Sequence, residues 1–334
     1  MNLSEGKKMF EGKKIVVTGG LGSIGSEIIR GLLKYKPKKI TLIDNRENSM
    51  FYSRLKFPSV VHEMADIRDY DLMESLLKGA DLVFHIAAMK HVILCEEFPF
   101  EAIKTNVLGT KNIVNSCLKN NVDKMILIST DKASNPLSMM GATKLLAEKM
   151  VGAIATTKRY GKTKFGIIRF GNVLYTRGSV LEVWDKQLEE KNEILLTNGK
   201  MTRFFMSIKQ SVDLIFSATN LAKDGEIFIL KMNSVRMGDF IKVFLKTKGI
   251  SEKKIKVIGA KKGEKMNEQL VTESDNLILE NKKLFISLPP YIDKKRLSEL
   301  KSKGFKDLKT KYVSSEDKRF LLSPSKIKDI LLGG

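Results

Sequence analysis

The stretch KIVVTGGLGSIG, from Lys14 to Gly25, decides the fold because it joins an apolar run to a helical pattern through three spaced glycines. The run KIVV is typical of a buried strand, and the following SEIIRGLLKY has apolar residues at helical spacing. Glycines in such a turn allow a tight bend, close approach of a phosphate to the backbone and close packing of helix on strand. The stretch therefore predicts a dinucleotide-binding turn with the candidate contacts Gly19, Gly22, Ser23, Ile24 and Gly25.

The end of the second predicted strand, KITLID, carries residues that distinguish the two nicotinamide dinucleotides. Asp44 ends this strand about 20 residues beyond the glycines, where an acidic residue binds the adenosine ribose 2′-hydroxyl of NAD. Arg46, two residues later, is suited to the 2′-phosphate of NADP. Since both residues are present, NAD and NADP both stay open.

Two further predicted strands end in residues placed to complete this site. Asp66 and Ile67, in MADIRD, follow a third strand and are expected at the adenine edge. Ala87 and Ala88 end the run LVFHIAA, and their small side chains would let a cofactor lie flat beside the nicotinamide ribose. We therefore expect these four residues to line the cofactor site.

Strand and helix patterns alternate over about the first 170 residues, which is typical of βαβ units. This alternation predicts an α/β fold with a doubly wound parallel sheet of Rossmann type, covered by helices on both faces. After about Val180 the pattern becomes irregular, which favours a smaller C-terminal α/β substrate lobe. We place the dinucleotide-binding domain at residues 1–175 and the mainly substrate-binding lobe at 176–334, with an interleaved boundary.

Composition argues against several other classes of protein. The 334 residues are 43% hydrophobic, which is enough for a substantial core. The net charge of +21 comes from lysines spread along the chain, so we expect a solvated surface and no specific nucleic-acid partner. The two cysteines and three histidines form no metal-ligand pattern, so no metal is expected. No apolar run reaches the roughly 20 residues of a membrane span and no secretory signal is visible, so we expect a cytoplasmic protein.

The chain carries eight motifs between about residues 13 and 275: TGGLGSIG, HIAAMKHV, IKTNVLGT, STDKASNP, GATK, RFGNVLYTRGSV, MTRFFMS and GEKMNEQLVT. Together they resemble the extended short-chain dehydrogenase/reductase superfamily. They are most similar to its UDP-N-acetylglucosamine 4,6-dehydratase branch, which serves polysaccharide biosynthesis. The tail after about residue 276 is matched only weakly.

The resemblance implies a UDP-N-acetylhexosamine substrate and a tightly bound NAD or NADP that is recycled in each turnover. The sugar would be oxidised at C4, lose water across C5 and C6, and regain hydride at C6 to give a UDP-4-keto-6-deoxy-N-acetylhexosamine. The configuration at C5 and the exact sugar stay open. A homo-oligomer is also expected.

Asp131 and Lys132 stand just past the predicted strand KMILIST, at the edge where parallel sheets bind ligands. An adjacent carboxyl and amine can divide acid and base work when their surroundings hold one protonated and the other neutral. By resemblance, Asp131 is the acid for water loss and Lys132 the base at C5.

One position departs from the usual pattern of the superfamily, which is Tyr-x-x-x-Lys. Here the segment reads Met140-Gly141-Ala142-Thr143-Lys144, and a thioether cannot take the C4 hydroxyl proton. Some branches, including capsular dehydratases, resemble this chain in carrying Met-x-x-x-Lys. By resemblance Lys144 holds the nicotinamide ribose hydroxyls. The C4 base would then be Thr130, Asp131, Lys132 or a water held by them.

Substrate contacts follow from the resemblance and fall into three groups. Four residues are expected to frame the hexose: Lys90, Thr105, Asn106 and Asn172. The segment Arg177, Gly178, Ser179 and Val180 is expected along the nucleotide diphosphate, where amides and a guanidinium suit phosphate. Uridine and diphosphate recognition is assigned to Thr202, Arg203 and Glu264.

Two other functions stay open from the sequence. A nucleotide-sugar 4-epimerase shares the fold and the C4 oxidation but needs no acid at C6, so Asp131 and Lys132 count against it. A non-catalytic cofactor-binding regulatory protein would explain the missing tyrosine. The retained Asp131, Lys132 and Lys144 argue against that function.

Overall fold

The computed structural model describes residues 3–157, 161–310 and 312–332. Its strands are β1 Lys14–Thr18, β2 Lys39–Asp44, β3 Val61–Met64, β4 Leu82–His85, β5 Lys124–Thr130, β6 Lys164–Phe170, β7 Asn172–Val173, β8 Ile194–Leu196, β9 Thr202–Met206, β10 Asp224–Leu230, β11 Asn233–Arg236, β12 Ile255–Val257, β13 Gln269–Val271, β14 Leu277–Glu280, β15 Leu284–Leu288, β16 Lys306–Asp307 and β17 Val313–Ser314. Its α-helices are α1 Leu3–Phe10, α2 Ser23–Leu33, α3 Glu47–Lys56, α4 Tyr70–Leu76, α5 Val92–Glu97, α6 Pro99–Ile103, α7 Thr110–Lys119, α8 Met139–Thr156, α9 Val180–Lys191, α10 Ile208–Leu221, α11 Met237–Thr247, α12 Lys294–Ser302 and α13 Pro324–Leu332. A π-helical segment spans Lys104–Gly109, and 3₁₀ turns span Asp131–Ala133 and Glu252–Lys254.

The central sheet has a parallel part in the order β3-β2-β1-β4-β5-β6-β10. The chain winds outward from β1 to β3 and then returns to the other side of β1 with β4. The order therefore reverses between β1 and β4, which is the place where doubly wound sheets bind ligands, outside the carboxyl ends of the strands. The predicted doubly wound parallel sheet is confirmed.

Helices cover both faces of this sheet, as the side chains of β1 show. Ile15 and Val17 lie in one buried apolar cluster, whereas Val16 between them lies in a second cluster. Since successive side chains of a strand point to opposite faces, both faces are packed. Burial on both faces is the physical reason why the strands are continuous apolar runs rather than alternating ones.

The second part of the chain completes the same sheet. Beyond β10, the strands β15, β14 and β16 continue it in antiparallel pairing. Residues on both sides of position 175 therefore share one core, as Phe84 in β4 and Phe285 in β15 do. Strands from both parts of the chain therefore belong to one sheet, and the domain boundary near residue 175 stays a prediction.

The smaller lobe is built from short sheets and three helices. The strands β11, β9 and β7 form one sheet, and β8 pairs with β12. Its core contains Trp184 of α9, Phe205 of β9 and Phe240 of α11, and the rings of Phe205 and Phe240 stack with centroids 4.7 Å apart. Because β7 follows β6 directly, the lobe is attached to the carboxyl edge of the main sheet. Among the described residues, no helix is both long and apolar enough to cross a membrane.

Candidate functional site

A cavity of about 790 Å³ lies along the carboxyl ends of the parallel strands and extends under the smaller lobe. It passes the glycine turn after β1, the end of β2, the loop after β4 and the turn after β5, and its far wall includes Val180 and Phe205. Seven of the eight sequence motifs therefore contribute residues to one cavity, whereas GEKMNEQLVT contributes none.

The glycine turn forms the floor of this cavity. Gly19 has φ +69°, and a Cβ on it would lie 2.6 Å from the backbone nitrogen of Ala87. A Cβ on Gly25 would lie 2.5 Å from the carbonyl oxygen of Gly19, so Gly25 is needed for packing of α2 on the turn. Gly22 differs, because its Cβ would have only one neighbour, 3.1 Å away, and it lines the cavity with Ser23 and Ile24.

This turn fits a dinucleotide. The first amides of a helix have no partner inside the helix and carry partial positive charge, so α2 offers donors to a phosphate at Ser23 and Ile24. The amide of Gly22 already donates to the carbonyl oxygen of Gly19 at 3.0 Å. Gly25 lies behind this wall and not on the cavity surface. The space beside Gly22 is where a pyrophosphate can approach the backbone.

Asp44 and Arg46 form one ion pair at the cavity wall. The guanidinium donates to both carboxylate oxygens of Asp44, with distances of 2.9 Å from Nε and 2.9 Å from Nη2. Asp44 is buried and also accepts from the amide of Leu21 at 3.2 Å, and its hydrogen bonds raise the pKa of Arg46 above its ordinary value. The two residues predicted to distinguish NAD from NADP are therefore neighbours, and both line the cavity.

The remaining predicted cofactor residues, Asp66, Ile67, Ala87 and Ala88, all line the same cavity. Arg68 donates to Asp66 through Nε at 2.9 Å and through Nη2 at 2.6 Å. Although burial opposes the charged carboxylate, these hydrogen bonds hold the pKa of Asp66 below its ordinary value. Arg68 also lines the cavity and was not predicted from the sequence.

His85 is a second residue that the sequence analysis missed, and it connects the strands that carry the site to a neighbouring helix. Its Nδ1 lies 2.7 Å from Oγ1 of Thr18 and its Nε2 lies 3.0 Å from Oγ1 of Thr110. Burial, together with the positive charge of Lys144, lowers the pKa of His85 to about 3, so the ring is neutral. It links the ends of β1 and β4 to α7. Among the described residues, no group of side chains could hold a metal ion.

Asp131 lies in the 3₁₀ turn after β5 and is fully buried. Its Oδ1 accepts from Thr130 Oγ1 and from Lys132 Nζ, each at 3.0 Å. Its Oδ2 is buried and has no hydrogen-bond partner within the described part of the chain. Burial raises the pKa of Asp131 above its ordinary value even though Lys132 opposes the shift, and this favours the protonated acid.

Lys132 contacts a second carboxylate, that of Glu268, at 3.5 Å. Burial disfavours the ammonium, but the charges of Asp131 and Glu268 outweigh burial and raise the pKa of Lys132. The side chain is 22% exposed and lines the cavity. Glu268 was not selected from the sequence, although it lies inside the quoted motif GEKMNEQLVT.

The helix α8 carries Met140 and Lys144 on the cavity wall. It begins at Ser138, whose Oγ accepts from the amide of Gly141 at 3.2 Å. Met140 is 4% exposed and packs in a small apolar cluster with Cys95 and Ala102.

Lys144 lies one turn further along α8. Its Nζ donates to the carbonyl oxygen of Ile128 at 2.5 Å. Burial lowers the pKa of Lys144 to about 8, and the nearby Glu148 opposes this shift. The amine is therefore held close to the end of β5, beside the position where the usual tyrosine would stand.

The predicted substrate residues divide into two groups by position. Six line the cavity: Lys90, Thr105, Asn172, Gly178, Ser179 and Val180. Gly178 has φ +68°, and a Cβ there would lie 2.4 Å from the ring of His91, so a glycine is required at this point of the wall.

Five predicted substrate residues do not line the cavity: Asn106, Arg177, Thr202, Arg203 and Glu264. Asn106 is buried, accepts from the amide of Met89 at 2.8 Å and donates to its carbonyl at 3.0 Å. Arg177 donates through Nη2 to the carbonyl of Leu21, and its own carbonyl accepts from Lys90.

The other three lie in or beside the smaller lobe. Thr202 is buried against Ser315, with 2.6 Å between their hydroxyls. Arg203 lies 3.8 Å from Glu268, and Glu264 accepts from the amide of Lys261 at 2.9 Å. None of these five residues lines the cavity, and their contact with substrate stays a prediction.

Known proteins match this chain over most of its length. The family model described as polysaccharide biosynthesis protein matches residues 15–288. A Methanocaldococcus jannaschii protein named uncharacterized membrane protein is 43% identical and covers 96% of each chain. The UDP-N-acetylglucosamine 4,6-dehydratase (inverting) of Campylobacter jejuni is 34% identical over 91% of each chain. A UDP-glucose 4-epimerase of Rickettsia akari is 37% identical over 80% of each chain.

Solved structures match the fold closely. Pen from Bacillus thuringiensis has a TM-score of 0.91 and 33% identity, covering 97% of this chain and 98% of its own. DesIV, a dTDP-glucose 4,6-dehydratase of Streptomyces venezuelae with NAD and TYD bound, has a TM-score of 0.70 at 20% identity. It covers 76% of this chain and 86% of its own, and the likeness concerns the fold. These matches confirm the predicted fold class.

Proposed function

This chain belongs to the polysaccharide biosynthesis protein family, with the extended short-chain dehydrogenase/reductase fold of nucleotide-sugar dehydratases and epimerases, and we propose that it is a UDP-N-acetylglucosamine 4,6-dehydratase. The observation that supports this reaction best is the contact of Asp131 with Lys132, at 3.0 Å. Lys132 lines the cavity, whereas Asp131 is fully buried and does not line it, and burial raises the pKa of Asp131 above its ordinary value. A dehydratase needs such an acid at C6, and an epimerase does not.

The proposed cofactor is NAD or NADP, held at the glycine turn and at the ion pair of Asp44 with Arg46. When bound, it supplies hydride acceptance from C4 and hydride return to C6. Lys144 would donate hydrogen bonds to the nicotinamide ribose from its position near Ile128. Gly22, which lines the cavity and has no side chain, would leave room for the pyrophosphate.

The chain's own residues would carry the proton transfers. Asp131 would protonate the leaving C6 hydroxyl, since burial raises its pKa and so favours the acid form. Lys132 would accept the C5 proton, which requires the neutral amine. Because two carboxylates favour the ammonium, only the fraction of Lys132 that has lost its proton can act as the base.

The C4 hydroxyl proton needs an acceptor other than Met140. Thr130, Asp131 and Lys132 form a continuous hydrogen-bonded group at the end of β5, with Thr130 donating to Asp131 and Lys132 donating to the same oxygen. A proton leaving C4 would enter this group directly or through a water, and Asp131 would give one proton to the departing C6 hydroxyl, so that the group regains its starting number of protons in each turnover. The presence of Met140 at the usual tyrosine position is therefore compatible with an active enzyme.

The second candidate function is UDP-sugar 4-epimerisation, which is favoured by the relative that carries an epimerase name. Mass spectrometry of the product from UDP-N-acetylglucosamine separates the two reactions. Loss of one water supports the dehydratase, whereas a product of unchanged mass and inverted C4 configuration supports the epimerase. The Asp131→Asn variant is the matched control, since it should keep cofactor and UDP affinity but lose dehydration.

The oligomeric state and the choice between NAD and NADP stay predictions that two measurements address. Sedimentation of the cofactor-bound protein gives the number of subunits. Calorimetric titration with each dinucleotide gives the preference, and Arg46→Ala should weaken NADP more than NAD if its guanidinium meets the 2′-phosphate.

A further inference from the structure

Glu268 is a buried carboxylate that no motif analysis singled out, yet it faces the proposed catalytic pair. It is 2% exposed and lies just before β13. Three cations approach its carboxylate: Lys132 at 3.5 Å, Arg203 at 3.8 Å and Lys265 at 3.8 Å. A buried charge with several cations around it is expensive to build, so its position calls for a physical account.

The backbone and the cations hold Glu268 in a fixed place. Its amide donates to Oγ of Ser315 at 2.9 Å, and its carbonyl accepts from the amide of Ser315 at 2.8 Å. Lys265 is itself tied down, because its Nζ donates to the carbonyl of Ser134 at 2.6 Å. The second part of the chain therefore fixes the main chain of Glu268 so that its carboxylate faces Lys132, although its Oε2 has no hydrogen-bond partner among the described residues.

The two carboxyl groups that flank Lys132 have unequal surroundings. Among the described residues, Asp131 forms one ion pair, with Lys132, and it is fully buried. Glu268 faces that cation and two more. Although burial opposes its charge, Lys132, Arg203 and Lys265 hold the pKa of Glu268 below its ordinary value, whereas burial raises the pKa of Asp131. Of the two carboxyls, Glu268 is therefore the one whose surroundings favour the ionised form more.

We propose that Glu268 is a positioning residue that serves as the counter-ion of Lys132, fixing its Nζ beside Asp131 and leaving Asp131 free to keep the proton it donates. The inference rests on the proposed dehydratase function. Without Glu268, the only carboxylate able to balance Lys132 is Asp131, which would ionise and lose its use as an acid.

The sign of the pH effect follows from the charges. The negative charge of Glu268 raises the pKa of both Asp131 and Lys132. Arg203 and Lys265 are the other charged groups that face this cluster, from β9 and from the loop before β13. In the active state, Asp131 and Lys132 together hold one proton. Activity therefore falls below the lower and above the higher of the two pKa values of this pair. Removal of the Glu268 charge lowers both pKa values, so the whole profile of activity against pH should move to lower pH.

The test compares kcat against pH for the wild type and for Glu268→Gln, which keeps the size but removes the charge. We expect the profile to move to lower pH and kcat at its optimum to fall roughly 100-fold, as displacement of a reacting group does. Cofactor and UDP affinities should stay within a factor of two or so, since Glu268 does not line the cavity. Glu268→Asp should bring the profile back towards that of the wild type, with a lower rate.

Glu273→Gln is the matched control, because it removes an exposed negative charge from the same region and should change neither rate nor profile. A rate loss in Glu268→Gln without any displacement of the profile would show that Glu268 is merely structural and would overturn the proposal.

A measurement without turnover separates this inference from the proposed function. The ¹³C resonance of the Asp131 carboxyl carbon, assigned by its absence in Asp131→Asn, should titrate at lower pH in Glu268→Gln than in the wild type. An unchanged midpoint refutes the inference even when the wild type dehydrates UDP-N-acetylglucosamine. A wild type that makes no dehydrated product refutes the proposed function, whatever the midpoint.

Discussion

The glycine turn offers a sharp prediction, because Gly22 and Gly25 differ in what a side chain would meet. Gly22 adopts φ −68° and ψ 164°, a conformation open to any residue, and its Cβ position has one neighbour at 3.1 Å. Gly22→Val should therefore fold. We expect a stability loss of about 1 kcal/mol, since valine is a poor residue before a helix.

The same substitution should prevent binding of the cofactor. The two added methyl groups would project into the cavity over the first amides of α2, where the pyrophosphate is expected. Loss of two hydrogen bonds to a charged phosphate, each worth about 1.5 to 3 kcal/mol, weakens binding by at least roughly 100-fold.

Calorimetric titration with NAD and NADP measures the affinity of each variant for the dinucleotide, and thermal unfolding measures its stability. Gly25→Val is the contrast, because its Cβ would lie 2.5 Å from the carbonyl of Gly19, and this variant should lose stability itself. Gly152→Ala is the neutral control, since no atom lies within 4 Å of its Cβ position. A folded Gly22→Val protein with unchanged dinucleotide affinity would refute the assignment of this turn.

Further predictions concern the catalytic pair and α8. Asp131→Asn should slow water loss by about 100- to 10,000-fold, with reduced cofactor accumulating in the absorbance spectrum if C4 oxidation survives. Lys132→Ala should stop dehydration at unchanged cofactor affinity, and wild-type product made in heavy water should carry deuterium at C5 by NMR. Met140→Ala should keep appreciable turnover but lose about 2 to 5 kcal/mol of stability in denaturant unfolding, whereas Met140→Leu should keep both. Because burial lowers the pKa of Lys144 to about 8 from 10.5, the unfolded chain binds the extra proton between these values. The free energy of unfolding should rise with pH across that window, and the rise should be smaller in Lys144→Met.

Local sequence determined the dinucleotide half of this protein. A strand, a glycine-spaced turn and a helix are consecutive in the chain, so KIVVTGGLGSIG contains every part of the phosphate site that Gly19, Gly22 and Gly25 require. The same holds for Asp131 and Lys132, which are adjacent and follow a strand whose carboxyl end must face the cavity. Periodicity also predicted the parallel strands, because burial on both faces leaves continuous apolar runs.

Only the tertiary structure decided the surroundings that set the chemistry. Asn106 is predicted to frame the hexose, and in the folded chain its side-chain amide forms hydrogen bonds with the backbone of Met89. No local sequence pattern reveals these bonds. The antiparallel strands β14 to β16 complete the main sheet although they come from the second part of the chain. Glu268 meets Lys132 across more than a hundred positions of sequence, and that contact raises the pKa of Lys132. Residue types and spacing specify local geometry, whereas burial and charge at a site depend on which distant segments the folded chain packs against it.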